Sequence, residues 1–386
     1  MGLPLAIAAS QAGYHVFGFD NDNKKIDLLK KGLSPIEDVA DEVIKNQITH
    51  EKYIPTSNAN SILESSVILI CVPTPLDADH KPEITSLIAA ATTVAQNLKI
   101  GSLVIVESTI EPGTCRNMLL PLLLKVSGLR EEDFDLAYSP ERIDPTNAKW
   151  NIKNTPKLVA GATSAAAIRA EEFYKKFIDI VFPCSSLEVA EAAKLLENTY
   201  RLVNISFINE LSLYFSKIGI DSQEVIMAAA TKPYGFMPFY PSIGAGGHCI
   251  PVDPIYLSHA AKSVGAPTEF IDLADKINRQ MPERFVTKVG EILGGLKGKK
   301  ILVVGIAYKP NVSDTRESSA ESLILGLRVK GAQVFWHDEL VKEWRHEKSS
   351  ELSDHYDLAI IATAHSYLDL KKLGKVMTLD TTRFPR

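Results

Sequence analysis

Residues 2–20 read GLPLAIAASQAGYHVFGFD, and the fold turns on them. The first part is small and apolar with helical spacing. The second part, YHVFGFD (14–20), is rich in β-formers and ends in an acid. A helix that opens on glycine and feeds a strand ending in a carboxylate looks like the later part of a dinucleotide-binding unit, although an acid ending a strand is more often a helix cap or turn residue. Gly2 stands where the third glycine of that unit would pack helix on sheet. Asp20 stands where an acid would receive the adenosine ribose hydroxyls. The apolar start also has the look of a signal peptide, but no basic residues precede it and a strand follows at once. The strand and first two glycines of such a unit are absent. The expectation is therefore a sheet lacking its first strand, from a start placed inside a longer reading frame or a truncated gene.

Outward from this stretch the same alternation continues. NKKIDLLKKG (23–32) is helical and stops at Gly32. SSVILICVPTP (65–75) reads as a buried strand running into a turn, and ITSLIAAATTVAQNLK (84–99) as a helix. GSLVIVEST (101–109) and FDLAYSPER (134–142) are further strands ending in polar loops. Alternating strands and helices imply a parallel, doubly wound sheet. The middle differs: residues 186–219 keep a helical period for about 30 residues, with Gly219 at the end. A helix that long can join domains and carry a subunit interface, and more helix follows around 256–293. Then KKILVVGIAYKP (299–310), SSAESLILGLRVKGAQVFWHD (318–338), YDLAIIATAH (356–365) and KVMTLDTTR (375–383) restore the α/β pattern. The fold class is α/β, two Rossmann-like doubly wound domains joined by a central long-helix domain, which the resemblance given below makes a dimerisation domain. The boundaries are set at 1–183, 184–292 and 293–386.

Composition narrows the function. The net charge of −5 comes without a basic tract, which argues against nucleic acid and anionic membrane as partners. No apolar run reaches the roughly 18 residues of a membrane span. The four cysteines, Cys71, Cys115, Cys184 and Cys249, show no CxxC spacing. No metal site or disulfide framework is expected, and a reducing cytoplasm fits. Cys249 lies in GAGGHCIPVDP (244–254), where glycines strip side-chain cover and prolines stiffen the chain. That loop reads as one that presents a thiol to another molecule.

Six motifs occur in order: CVPTP (71–75), EST (107–109), SPER (139–142), AEAAKLLEN (190–198), GGHCIPVDP (246–254) and GIAYKPNVSDTRES (305–318). In these, and from GLPLA to the final DTTR, the chain resembles the nucleotide-sugar 6-dehydrogenases, the family of UDP-glucose, GDP-mannose and UDP-N-acetylhexosamine dehydrogenases. The resemblance implies oxidation of a sugar C6 alcohol to a carboxylate with two NAD. It implies an N-terminal NAD domain, a central dimerisation domain and a C-terminal domain for the UDP moiety, in a homodimer.

The same resemblance implies the residue roles. Cys249 is the nucleophile that turns the aldehyde into a thiohemiacetal and then a thioester. Lys194 and Asn198, four apart on one helix face, hydrogen-bond the developing oxyanion. A solvated face, with Glu191 and Glu197 pairing to Lys194, is the plainer alternative. Asp253 assists water activation and proton transfer. Glu141 and Thr109 position the sugar and the attacking water. Gly2, Asp20, Lys25, Thr74, Thr109 and Arg316 are assigned to the cofactor. Phe239, Tyr240, Gly246 and Lys309 are assigned to the nucleotide sugar, with Glu141, Lys194 and Asn198. His248 is read as structural, because neighbours in an extended segment point apart.

LLENTYRLVNISFINELS (195–212) and TKPYGFMPFYP (231–241) resemble the UDP-N-acetylhexosamine members, whose uronic acids feed surface polysaccharides. UDP-glucose is the alternative substrate. Ser242 and Ile243 depart from the PGPG-like sequence of relatives. A non-catalytic nucleotide-sugar-binding partner is a second class of reading, and a two-electron hydroxyacid dehydrogenase a third. The latter needs no cysteine.

Overall fold

The computed structural model describes residues 2–383 except Glu37, Pro145, Thr146 and Ala148. The expected first helix is described from Gly2; Met1 lies outside the described residues. The chain divides into two compact units, Met1–Leu196 and Glu197–Arg386.

In the first unit, helix Gly2–Gln11 leads into β1 (Val16–Phe19), and helix Asn23–Lys30 follows. Asp22 starts that second helix by accepting from the Lys24 and Lys25 N–H groups, the usual work of an N-cap aspartate. A helix Asp41–Thr49 and a strand β2 (Tyr53–Thr56) come next, neither of them read from the sequence. Strands β3 (Val67–Ile70), β4 (Leu103–Val106), β5 (Asp135–Tyr138), β6 (Lys157–Gly161) and β7 (Val181–Pro183) complete the unit.

β1 and β2 pair in parallel as a two-stranded sheet, and β3 to β7 form a separate five-stranded sheet in that order. The division between β1 and β3 falls where the expected first strand would run in a doubly wound order. One expectation is corrected. The sheet is mixed: β3, β4 and β5 run parallel, but β6 is antiparallel to β5. Helix Ser164–Tyr174 then returns the chain so that β7 pairs parallel to β6.

β4 shows why apolar runs specify this arrangement. All four residues of LVIV are buried. Val104 and Val106 point to a core with Leu87, Ala91 and Leu123 of the helices on one face. Leu103 and Ile105 point to a core with Leu5, Ala9, Phe173 and Tyr174 on the other. A strand covered on both faces has no polar side to alternate, so its sequence reads as continuous hydrophobicity.

The second unit holds most of the long helix Leu187–Lys217, then helices Ser222–Ala230, Asp253–Ser263 and Glu269–Ile292. Its four-stranded sheet is all parallel. β8 (Lys300–Val304) lies between β9 (Gln333–His337) and the strand Leu358–Ile361, with Thr378–Asp380 at the edge. Ile301, Val303 and Trp336 pack against helix Ser319–Val329 and against Met281 and Phe285 of helix Glu269–Ile292. Leu302, Val304 and Ala359 face a second core containing Leu373. Among the described residues no helix is long and apolar enough to cross a membrane.

Candidate active-site residues in the two units

In the first unit four candidates sit after the C-terminal ends of strands, while Gly2, Lys25 and Lys194 lie on helices. Open α/β sheets bind ligands on that side. Asp20 follows β1, Thr74 follows β3, Thr109 follows β4 and Glu141 follows β5. Ser108 donates to the Val72 carbonyl at 2.7 Å and so ties the loop after β4 to the loop after β3. Thr74 and Thr109 are partly buried on those two loops. A Cβ at Gly2 would stand 3.4 Å from the Cys71 Cβ, in ordinary van der Waals contact.

Asp20 is held in place but not used up. Its Oδ1 accepts from the Asp22 N–H at 2.9 Å, and its Oδ2 meets Lys25 Nζ at 3.3 Å. Its side chain remains 36% exposed. A carboxylate with acceptor capacity left at a strand end fits the hydroxyls of a ribose diol, so Asp20 suits the adenosine end of a dinucleotide.

Glu141 is 11% exposed and accepts from the Arg142 and Ile143 N–H groups at 2.6 and 2.8 Å. Burial pushes its carboxyl up. Lys157, the two N–H groups and Lys194 oppose this, and the net result lies below the usual glutamate value. Lys194 itself is buried. The pairing of Glu191 with Lys194 considered as the plainer alternative is not what the structure shows for Glu191. That side chain is fully buried and accepts from the Gly113 and Cys115 N–H groups at 2.5 and 3.0 Å.

In the second unit the structure brings Asn198 and Asp253 together. Both are buried, and Asn198 Nδ2 donates to Asp253 Oδ2 at 2.6 Å. Asp253 opens the helix Asp253–Ser263, with Pro254 in its first turn. The Cys249 carbonyl accepts from the Val252 and Asp253 N–H groups at 3.1 and 2.8 Å. The nucleophile candidate is thus part of the turn that starts the helix. Cys249 forms no disulfide and is partly buried.

The glycines around Cys249 also answer to the chain's own packing. A Cβ at Gly246 would lie 2.6 Å from the Glu317 carbonyl. One at Gly247 would lie 2.7 Å from the Tyr308 ring, at a φ of +84°. They let the loop press against residues 308–318 of its own unit. Two asparagines missed in the sequence fix the same loop. Asn278 accepts from the Ala245 N–H at 2.6 Å and donates to its carbonyl at 3.1 Å. Asn209 accepts from the Ser242 N–H at 2.8 Å. Their signal was an asparagine in mid-helix, a position it disfavours unless its amide has a partner. Gly247→Ala should cost about 2–4 kcal/mol, from the positive φ and the overlap with Tyr308. A urea midpoint lowered at unchanged m-value would show this.

The remaining candidates are more scattered. Arg316 makes a bidentate pair with Asp314, with its NH2 at 2.6 Å, and Asp314 also lies 4.0 Å from His248 Nδ1. Phe239 meets Tyr200 edge-on at 5.8 Å, while Tyr240 is 48% exposed. Lys309 lies on the loop after β8. Asp338, at the end of β9, holds that loop through the Ile306 N–H at 2.9 Å. His365 Nε2 donates to Asp338, and the Asn311 N–H donates to His365 Nδ1 at 2.9 Å, which fixes the tautomer.

Comparison with known proteins gives these positions a setting. Residues 1–178 match the NAD binding domain of the UDP-glucose/GDP-mannose dehydrogenase family, 188–280 its central domain and 302–384 its UDP binding domain. The chain is 34% identical to the UDP-N-acetyl-D-glucosamine 6-dehydrogenase of Salmonella typhi, over 97% of this chain and 89% of that one. The structure of a UDP-D-ManNAc dehydrogenase from Pyrococcus horikoshii superposes with a TM-score of 0.90 at 32% identity, covering 98% of this chain and 92% of that one. A UDP-glucose dehydrogenase from Pyrobaculum islandicum gives 0.90 at 26% identity, covering 100% and 92%. With strand-end residues, a cysteine turn and three matched domains in one order, this chain belongs to the UDP-glucose/GDP-mannose dehydrogenase family of NAD-dependent oxidoreductases.

Proposed function

We propose that the chain oxidises the C6 alcohol of a UDP-N-acetylhexosamine to the uronic acid in two steps through Cys249. The observation that carries this reading is the turn joining Cys249 to Asp253, with Asp253 buried against Asn198. The N-acetylhexosamine is supported by the activities of the relatives at 34% and 32% identity. NAD, when bound, accepts one hydride in each of two rounds. Asp20 holds its adenosine ribose, with Gly2, Lys25, Thr74, Thr109 and Arg316 assigned to the rest of the dinucleotide.

The protein's own groups do the remainder. Lys194 and Asn198 stabilise the oxygen that becomes negative, as alkoxide and then as tetrahedral oxyanion. The Cys249 thiolate adds to the aldehyde carbon, giving a thiohemiacetal that becomes a thioester on loss of the second hydride. Asp253 moves the proton, and water held by Glu141 and Thr109 cleaves the thioester. Phe239, Tyr240, Gly246 and Lys309 are assigned to the UDP-sugar. The functional division follows 1–183, 184–292 and 293–386. The test is NADH formed per sugar consumed, with UDP-GlcNAc, UDP-ManNAc and UDP-glucose supplied in turn. Two per N-acetylhexosamine supports the reading. Two with UDP-glucose alone overturns the choice of sugar. One per sugar overturns the role of Cys249.

The protein acts as a homodimer through the long helix. Tyr200, Phe207 and Tyr214 are 46%, 57% and 56% exposed and recur at seven-residue spacing on one helix face. Large apolar side chains aligned this way suit the same helix of a second copy. Phe207→Asp should convert the dimer to a monomer in sedimentation velocity. A native mass of one chain in the unaltered protein would overturn the assignment.

A further inference from the structure

We infer that Lys157 is a positioning residue for Glu141, holding its carboxylate ionised and oriented at the end of β5. The inference rests on the role proposed above for Glu141. Lys157 is the first residue of β6, an otherwise apolar strand, and is 4% exposed. Its Nζ bonds Glu107, donates to the Pro140 carbonyl at 3.1 Å and lies 3.8 Å from Glu141 Oε2. It also stands over the Tyr174 ring, 5.3 Å from the centroid. Glu107 is 1% exposed, and its other oxygen accepts from the Tyr174 hydroxyl.

Two carboxylates therefore share one buried ammonium. The antiparallel pairing of β5 and β6 makes this possible, because it turns the start of β6 toward the loop after β5. A buried lysine between two acids is costly to leave unless it has work as a counter-ion. Its two partners are not equivalent. Glu107 is closed off by Lys157 and Tyr174. Glu141 is fixed on Oε1 by two backbone N–H groups, and only Oε2 faces the ammonium. The other charged or titratable groups acting in this cluster are Lys194 on Glu141, and Cys71 on Lys157 and Tyr174. Burial pushes Glu107 up, and Glu141 adds to that, whereas Glu141 itself is held down. Glu141 stays an acceptor for the water it is proposed to hold.

The test is the pH profile of kcat for the full chain with NAD and UDP-sugar. In Lys157→Met the acidic limb should move upward by at least one pH unit, a tenfold fall at a fixed pH on that limb. Lys157→Arg, which keeps the charge, should restore the limb. Glu107→Gln should leave it in place or move it downward. A Lys157→Met enzyme with lower kcat but an unmoved limb overturns the inference, as does an upward shift of equal size in Glu107→Gln. If Lys157→Met does not fold, carboxyl ¹³C titration of the unaltered protein decides, with Glu141 assigned by its loss in Glu141→Gln. A midpoint below the ordinary glutamate value supports the role, and one at or above it overturns it. Full activity in Glu141→Gln would instead remove the reading on which the inference stands, and so separates the two failures.

Discussion

Cys249→Ala should halve the NADH yield, from two per sugar to one, and leave an aldehyde-level UDP-sugar as the product. The first oxidation needs a base and an oxyanion partner but no thiol. The second has no hydride to give until something adds to the aldehyde carbon. Losing the nucleophile should slow acid formation by about 10³-fold or more, as removal of a covalent catalyst commonly does. The first oxidation should stay within about threefold, because binding and proton transfer remain. Mass spectrometry of the nucleotide sugar, alongside absorbance of NADH, separates the two steps. Undiminished acid formation would show that water alone attacks. The loop 244–254 would then be a structural turn.

Asn198→Ala should lower kcat by about 10²–10³, with a smaller change in KM. That is the usual effect of deleting one donor to a developing oxyanion. The change also takes a 2.6 Å hydrogen bond from Asp253, whose carboxylate is buried at the head of its helix. A stability loss of about 1–3 kcal/mol should accompany the kinetic loss. Asn198→Asp sharpens the test, because it keeps the size and replaces the donating amide with a second carboxylate facing Asp253. It should be no more active than the alanine variant. A fall in stability without a fall in kcat would reduce Asn198 to a support for the helix.

Much of the chain could be read from its order of residues. VILI, LVIV, KILVV and LAII each form a strand within a few residues of the expected place. The helical period over 186–219 became one helix, Leu187–Lys217. The stretches left unread share a cause. KLVAG and VFP are short, and VFP has exposed residues at the sheet edge, so neither shows a strong period. Helix Asp41–Thr49 buries only Ile44, which leaves little apolar face to detect.

The candidate site divides in the same way. The turn from Cys249 to Asp253 was legible because it is local structure, whereas the contact of Asn198 with Asp253 spans 55 residues and was not. The glycines of the cysteine loop were seen, but their close approach to the chain's own residues was not. Their neighbours, Tyr308 and Glu317, are some 60–70 residues away in sequence. The two acids that end second strands make the sharpest contrast. FGFD and FWHD look alike, yet Asp20 keeps a 36% exposed side chain while that of Asp338 is fully buried and holds a loop with His365. Lys157 and Glu107 are in the same position, since nothing in KLVAG or VEST announces a shared buried charge. Apolar period and turn chemistry are properties of neighbouring residues, so the sequence by itself determined most of the elements, their order and the cysteine turn. The burial and the partner of a polar group depend on what the distant chain brings against it, and that was decided only when the sheet and its helices closed.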